Sequence, residues 1–216
     1  MTAKHTIIFA TGNRDKIREI REIIDDDTLE VLSMKEAGVA TDPEETGTTF
    51  EENALIKAQS VYEEIQRQAA AGKFLLPVEE VTVMSDDSGL CVDALDGAPG
   101  ILSARYMGRD TDYRLKMEHI MDLLKDVHGE ARSARFVAAV ASVYADGTSR
   151  VVRGTMEGRI GHAISGEHGF GYDPFFYLPE YGMTSADISP EEKNRISHRG
   201  KALRSALQLL QARRGR

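Results

Sequence analysis

The sequence has 216 residues, and its 27 basic and 35 acidic side chains give a net charge of −8, which argues against a broad surface for binding nucleic acid. Its 41% hydrophobic and 29% charged residues are typical of a globular chain, and we expect a single domain over residues 1–216. Cys91 is the only cysteine, which excludes an intramolecular disulfide. Because no stretch reaches the roughly 20 apolar residues of a membrane-spanning helix and the N-terminus has no signal-peptide pattern, we expect a cytoplasmic protein without a membrane partner.

The first half of the chain alternates between strand-like and helix-like patterns. An apolar run over residues 6–10 predicts a buried strand, and three isoleucines at helical spacing over residues 17–24 predict a helix after it. Thr49 and Glu52 form a capping-box pattern, which predicts a helix that ends near Gly72. The order at the start of the chain, a strand followed by a glycine-containing turn and a helix, is typical of the opening of an α/β unit.

The second half continues the alternation. The expected strands cover residues 81–84, 135–144 and 149–154. The expected helices cover residues 111–125, a segment that starts at Ser189, and residues 197–213. Asp146 and Gly147, which join the last two strands, are a strong hairpin signal, and Pro190 is typical of a first helical turn. The pattern predicts the α/β class, with a mixed sheet flanked by helices.

The first candidate site is the turn over residues 11–16, which reads Thr-Gly-Asn-Arg-Asp-Lys. Backbone N–H groups at the start of a helix attract anions, and a glycine lets a ligand approach the backbone closely. Lys16, one turn into the helix, could reach the same phosphate. The segment also reads as a plain turn capped by Asn13, because it is neither a Walker A loop nor a GxGxxG fingerprint.

The second candidate site consists of two acidic segments. An Asp-Asp-Ser-Gly sequence over residues 86–89 follows a predicted strand, where ligands of α/β sheets bind. Such carboxylates suit Mg²⁺, and one of them could accept a proton from water. Glu44 and Glu45 are a further acidic pair, of interest only if the fold brings them near Asp87. Both segments also read as solvated loops, and Lys57 reads as a surface lysine.

The third and fourth candidates lie in the C-terminal part. Residues 169–176 combine aromatic side chains, glycines and an acid, which suits a loop that stacks on a planar ring and hydrogen-bonds its edge. The alternative is a turn before an apolar strand, although flanking glycines make Phe170 and Tyr172 harder to explain as core. Residues 192–201 are rich in Arg, Lys and His donors for a carbonyl or phosphate, or form a basic, solvated helix start.

Taken together and in this order, the motifs resemble those of the inosine/xanthosine triphosphate pyrophosphatases, which hydrolyse non-standard purine nucleoside triphosphates. The matching segments cover residues 10–16, 44–58, 85–106, 169–176 and 192–203. The resemblance implies an elongated two-lobed α/β architecture with a nucleotide cleft between the lobes. It also implies hydrolysis of ITP, dITP and XTP to nucleoside monophosphate and pyrophosphate, with Mg²⁺ as cofactor and a homodimeric assembly.

The resemblance also implies roles for individual residues. Asp87 corresponds to the proposed general base and a Mg²⁺ ligand, and Glu44 to the second ligand, with Glu45 beside it as the alternative. Contacts to the substrate fall to Thr11, Gly12, Asn13, Arg14, Asp15, Lys16 and Ser88. Recognition of the base falls to Phe170, Gly171, Tyr172, Asp173, Lys193, His198 and Arg199.

Two other classes of function compete with this hypothesis. A nucleotide-binding sensor would hold a purine triphosphate without hydrolysing it and would need no carboxylate base, so the intact Asp86–Asp87 pair counts against it. A nucleic-acid-binding module is disfavoured by the acidic charge and the absence of a basic stripe in the sequence.

Overall fold

The structure is a computed structural model that describes residues 4–215. Within this range one mixed sheet has the strand order β2-β1-β3-β4-β5-β6-β7. The strands are β1 (His5–Phe9), β2 (Leu29–Ser33), β3 (Val81–Val92), β4 (Ser133–Val143), β5 (Ser149–Ile160), β6 (Phe176–Leu178) and β7 (Met183–Thr184). Strand β1 is parallel to β2 and β3, whereas β6 is antiparallel to β5 and β7. The predicted α/β class with a mixed sheet is confirmed.

Five α-helices accompany the sheet in the described range. They are α1 (Arg14–Ile23), α2 (Phe50–Ala70), α3 (Tyr113–Leu123), α4 (Pro190–Ile196) and α5 (His198–Arg214). Between residues 4 and 215, no helix has both the length and the apolar character that crossing a membrane requires. Residues 1–3, on which part of the signal-peptide expectation rests, lie outside the described residues.

The chain divides into two compact units, each built from separate stretches of sequence. Unit 1 comprises residues 4–87, 139–153 and 199–215, and unit 2 comprises residues 88–138 and 154–198. Neither unit is one contiguous segment. A single domain over residues 1–216, the two lobes and the cleft between them therefore stay predictions.

Unit 1 is built around β1, which is buried along its whole length, as is typical of a parallel strand covered on both faces. Helix α2 has a buried stripe of Ala54, Ala58, Val61 and Ile65. Its predicted capping box is confirmed. The Thr49 hydroxyl accepts a hydrogen bond from the Glu52 N–H at 3.1 Å, and the Glu52 carboxylate accepts one from the Thr49 N–H at 3.2 Å. These bonds attach the loop before α2 to its first turn.

Unit 2 has its own apolar core. Phe136 of β4 and Phe176 of β6 pack with ring centroids 4.5 Å apart, and Ile120 of α3 lies in the same buried cluster. Arg132 is 3% exposed, and its guanidinium donates to the carbonyl oxygens of Leu124 and Ile160, each at 2.7 Å. These bonds satisfy buried carbonyl groups at the end of α3 and of β5.

The largest departure from the sequence prediction is in β3. The sequence predicts a strand over residues 81–84 and extended chain again from Leu90, with Asp86 and Asp87 between them, but β3 runs unbroken to Val92 and includes both aspartates. Aspartate is disfavoured in buried strands because its charge is best stabilised by solvent. Here buried cations pair with the aspartates and stabilise their charge instead. Strand β2 is absent from the prediction, and β5 extends to Ile160 rather than residue 154.

Candidate active site

Asp86 lies on β3 in unit 1 and is only 1% exposed. Lys16 Nζ of α1 donates to Asp86 Oδ1 at 2.5 Å, and Arg199 Nε of α5 donates to Asp86 Oδ2 at 3.3 Å. Burial acts to raise the pKa of Asp86, but Arg199 and Lys16 outweigh it and hold that pKa below its usual range. Asp86 is therefore an ionised partner of two cations and a poor proton acceptor.

Arg199 is itself buried and pairs with a second carboxylate, that of Glu19 on α1. Glu19 is 7% exposed. A buried charge is tolerated only when it is paired, because leaving one unpaired costs several kcal/mol. These contacts make Arg199 the counter-ion of Asp86 and Glu19. They give no support to the sequence-based prediction that the Arg199 side chain recognises the base.

The Asp87 side chain contacts a different cation. Lys57 Nζ of α2 donates to Asp87 Oδ1 at 2.6 Å and to the backbone carbonyl of Asp86 at 3.1 Å. Burial raises the pKa of Asp87, and the Lys57 ammonium offsets this rise only in part. Asp87 Oδ2 is buried and has no hydrogen-bond partner among residues 4–215. A carboxylate with a raised pKa and one unengaged oxygen is suited to accept a proton.

The loop over residues 44–47, here called the acidic loop, precedes α2 and brings Glu45 to this cluster. Glu45 Oε1 lies 3.3 Å from Lys57 Nζ, and its side chain is 27% exposed. Glu44 is exposed. The structure thus brings Glu45 to Lys57 beside Asp87 and leaves the predicted Glu44 exposed, so Glu45 is the better-placed carboxylate of the two.

Glu45 and Asp87 form a donor set that fits Mg²⁺. Both offer hard carboxylate oxygens, and Asp87 Oδ1 keeps a second lone pair for a cation while it accepts from Lys57. In the described part of the chain, no three or more His, Cys, Asp or Glu side chains group closely enough to hold a metal by themselves. Mg²⁺ is usually bound by one or two carboxylates together with substrate phosphates, so two protein ligands are consistent with this cation.

The turn over residues 11–16 divides between two surroundings. Lys16 reaches Asp86, whereas Thr11, Gly12, Asn13 and Arg14 line a cavity of about 1090 Å³ in unit 1. Asn13 Oδ1 accepts from the N–H groups of Asp15 and Lys16 at 2.9 and 3.1 Å. Asn13 therefore caps α1, as the plain reading of this turn predicts.

Unit 2 contains a second cluster, centred on Asp173. Asp173 Oδ2 accepts from Lys193 Nζ at 2.6 Å and from the Phe170 N–H at 2.8 Å, and Oδ1 accepts from the Ser185 hydroxyl at 2.8 Å. Lys193 Nζ also lies 5.4 Å from the centroid of the half-buried Phe170 ring. Gly169 has a φ of +76°, and a Cβ there would collide with the Asp173 carboxylate. The predicted glycine-rich loop is thus tied to Asp173 and Lys193.

Tyr172 belongs to the core of unit 2, contrary to the expectation that its flanking glycines free it for a ligand. It is 3% exposed, and its hydroxyl donates to the Ser103 carbonyl at 3.1 Å. His198 is 5% exposed and stacks on Phe136 at 4.9 Å. Ser88 directly follows Asp87 on β3 and is half-buried. Phe170 is therefore the aromatic side chain of this loop that stays a candidate for stacking on a base.

Comparison with known proteins identifies the family of this chain. The family model described as the Ham1 family matches residues 7–209 of this chain. The chain belongs to the Ham1 family. Its resemblance to inosine/xanthosine triphosphate pyrophosphatases is confirmed by relatives such as a Clostridium perfringens protein named dITP/XTP pyrophosphatase, which is 44% identical over 198 residues, covering 91% of this chain and 92% of that protein.

Solved structures of Ham1 proteins share the fold. The Staphylococcus aureus Ham1 protein is 36% identical and superposes with a TM-score of 0.79, over 96% of this chain and 99% of that one. A HAM1 protein from Coxiella burnetii is 33% identical, with a TM-score of 0.78 over 96% and 98% of the two chains.

Three residues of this Ham1 family member join the clusters although the sequence reading does not select them. Lys57 lies on the buried stripe of α2, one residue before Ala58, and its side chain is only 16% exposed, so it is no surface lysine. Burial acts to lower the pKa of Lys57, but Asp87 and Glu45 outweigh it and raise that pKa. Glu19 shares the inward face of α1 with Lys16. Helical periodicity could therefore have revealed Glu19 as well as Lys57. Ser185 follows a two-residue strand, where no periodic signal exists.

Proposed function

We propose that this protein hydrolyses the non-standard purine nucleoside triphosphates ITP, dITP and XTP to nucleoside monophosphate and pyrophosphate, with Mg²⁺ as cofactor. The names of its relatives support the substrate class. The observation that carries the proposal is Asp87, whose buried carboxylate has a raised pKa and one unengaged oxygen beside Lys57 and Glu45.

Asp87 acts as the general base. Its Oδ2 accepts a proton from a water molecule, whose oxygen forms a bond to the α-phosphorus of the substrate. The bond from the α-phosphorus to the oxygen that bridges to the β-phosphate breaks, and pyrophosphate leaves with both electrons of that bond. Lys57 donates to one lone pair of Asp87 Oδ1 and leaves the other lone pair of this oxygen for the cation, so Oδ2 is the oxygen available for the proton.

The phosphate charge needs local cations, because the protein carries a net charge of −8. Lys16 and Lys57 are held at the Asp86–Asp87 segment and supply positive charge there. Glu45 and Asp87 are the residues that would hold Mg²⁺. When bound, this cation neutralises phosphate charge and polarises the phosphate oxygens.

The cluster of unit 2 recognises the purine. The Phe170 ring offers a surface for stacking. Lys193, oriented by Asp173, donates a hydrogen bond to the 6-oxo group of hypoxanthine or xanthine and would meet an amino group in adenine. His198 supplies a second donor. A site built on such bonds rejects the mismatched base by orders of magnitude, because its buried donors are left unpaired.

We also place this activity in a cytoplasmic homodimer. Unit 2 exposes the large apolar side chains of Leu102, Met107, Leu115 and Leu123, each about half accessible to solvent. Exposed apolar side chains of this size suit a contact with a second copy of the chain. Nucleic acid is not expected as a partner because of the acidic charge.

Product analysis tests the function. The protein is incubated with ITP, XTP, GTP and ATP, with and without Mg²⁺, and the products are separated by ion-exchange chromatography. We expect pyrophosphate and monophosphate from ITP and XTP, only when Mg²⁺ is present. Release of single phosphates would place the attack at another phosphorus, and tight binding without products would identify a sensor.

Replacing Lys57 by glutamine should shift the pH dependence of the reaction. Lys57 lowers the pKa of Asp87 against the effect of burial, so its removal raises that pKa further. A base must be deprotonated to act, so on acidification the rate of the variant should begin to fall at a higher pH than that of the wild type. The measurement is kcat/KM against pH, with exposed Lys73→Gln as the control. An acidic limb at the wild-type position would contradict the assignment of Asp87.

A further inference from the structure

Asn53 holds the acidic loop onto α2, although the proposed mechanism gives this residue no part. It is fully buried in unit 1, one helical turn before Lys57. Asn53 Oδ1 accepts a hydrogen bond from the Gly47 N–H at 2.9 Å. Because that N–H can only donate, the oxygen of the amide must face it. The amide nitrogen, Nδ2, is buried and has no hydrogen-bond partner in the range 4–215.

Gly47 lies very close to this amide. A Cβ at position 47 would lie 2.6 Å from Asn53 Oδ1 and 2.7 Å from Glu52 Cβ, so only glycine permits the approach. Two residues earlier, the Glu45 carboxylate lies 3.3 Å from Lys57 Nζ. Asn53 and Lys57 thus attach the loop to one face of α2 at two points, one on the backbone and one on a side chain.

Stability alone does not account for an asparagine here. A buried amide with an unpaired N–H₂ group is unfavourable, and an apolar side chain would avoid that penalty. What the amide does supply is a fixed position for Gly47, and through it for Glu45. Residues that orient ligands in this way commonly change metal affinity when they are replaced, although they never touch the metal.

We propose that Asn53 is a positioning residue for the cation site, and that its bond to Gly47 keeps the Glu45 carboxylate beside Lys57 and Asp87. This inference rests on the proposed function, because it takes Glu45 and Asp87 as the ligands of the divalent cation. It predicts that metal affinity depends on a residue that contacts neither the metal nor the substrate.

The test measures Mn²⁺ binding to the full chain without nucleotide, by electron paramagnetic resonance. Asn53→Ala should raise the Mn²⁺ dissociation constant about tenfold or more. The Gly47 amide should exchange its hydrogen faster in nuclear magnetic resonance spectra. The matched control is Glu52→Gln, on the neighbouring residue, whose carboxylate accepts from the Thr48 and Thr49 N–H groups at 2.7 and 3.2 Å. This control should keep near wild-type Mn²⁺ affinity.

A double-mutant cycle tests the shared cause and needs no severe truncation. Gly47→Ala displaces the same loop, so it should weaken Mn²⁺ binding to a similar degree. The Mn²⁺ dissociation constant of the double variant should not exceed the larger of the two constants measured for the single variants. Additive effects, or unchanged Mn²⁺ affinity in Asn53→Ala, would overturn the inference. Equal weakening in Glu52→Gln would do the same, since it would indicate general disruption of the helix start.

The outcomes separate this inference from the proposed function. If the wild type released no pyrophosphate from ITP but its Mn²⁺ affinity still depended on Asn53, the function would fall and the role of Asn53 in the cation site would stand. If the wild type bound no Mn²⁺, the inference would be overturned, while the product analysis would still decide the reaction.

Discussion

Asp87→Asn should lower kcat by about 10²- to 10⁴-fold, which is the contribution of general acid–base catalysis. The amide has the shape of the carboxylate and can still accept the hydrogen bond from Lys57 Nζ, so the fold should persist. It cannot accept a proton from water, and it is a poorer ligand for a hard cation. The measurement is pyrophosphate release from ITP at saturating Mg²⁺, together with the thermal unfolding midpoint.

Asp93→Asn is a matched control for this experiment. Asp93 follows the same strand, but its side chain is 40% exposed and pairs with Arg135 in unit 2. We expect near wild-type kcat for this variant, since exposed ion pairs contribute little. If Asp87→Asn kept most of its activity, the base would have to be another residue and the mechanism would need a different proton acceptor.

Arg199→Met should destabilise the protein by about 3–5 kcal/mol. The guanidinium is 2% exposed and pairs with Asp86 and Glu19, so its removal leaves two carboxylates in the interior with fewer partners. The free energy of unfolding, measured by urea denaturation, should fall accordingly. The free energy of unfolding of Arg199→Lys should lie between those of the wild type and Arg199→Met, because an ammonium keeps the charge but lacks the planar fork of donors.

The matched control for Arg199 is Arg195→Met. Arg195 pairs with Glu192 on the surface of α4 and is 68% exposed, so its loss should cost less than about 1 kcal/mol. The preference of Arg199→Lys for ITP over ATP should also remain that of the wild type. A large loss of this preference without a loss of stability would return Arg199 to base recognition, as the sequence motif predicts.

Much of the fold follows from local patterns in the sequence. The capping box at Thr49, the hairpin signal at Asp146–Gly147 and the proline after Ser189 each predict an element boundary that the structure confirms. Strand β2 escapes prediction because it is short, follows three aspartates and has only one fully buried residue, so its apolar signal is weak. The end of β3 is misplaced because a local rule treats two aspartates as solvated.

The candidate site divides in the same way. Motif order alone selects Asp87, Asp173 and Lys193 as candidates, and it is sufficient for the family. It does not distinguish Glu44 from Glu45, because that choice depends on how the loop turns onto α2. It also misreads Tyr172 as available to a ligand, since burial by Tyr113 and Ser103 is a property of the packed unit.

The sequence by itself determined the element types, the α/β class, the family and the carboxylates at which the chemistry is proposed. Only the tertiary structure decided which cations each carboxylate contacts. Asp86 and Asp87 are adjacent in the chain, but neighbouring side chains of a strand point to opposite faces. Asp86 therefore meets Lys16 of α1 and Arg199 of α5, which lower its pKa, whereas Asp87 is buried beside Lys57 of α2 and its pKa is raised. These cations come from three helices far apart in sequence, and only folding brings them to one strand.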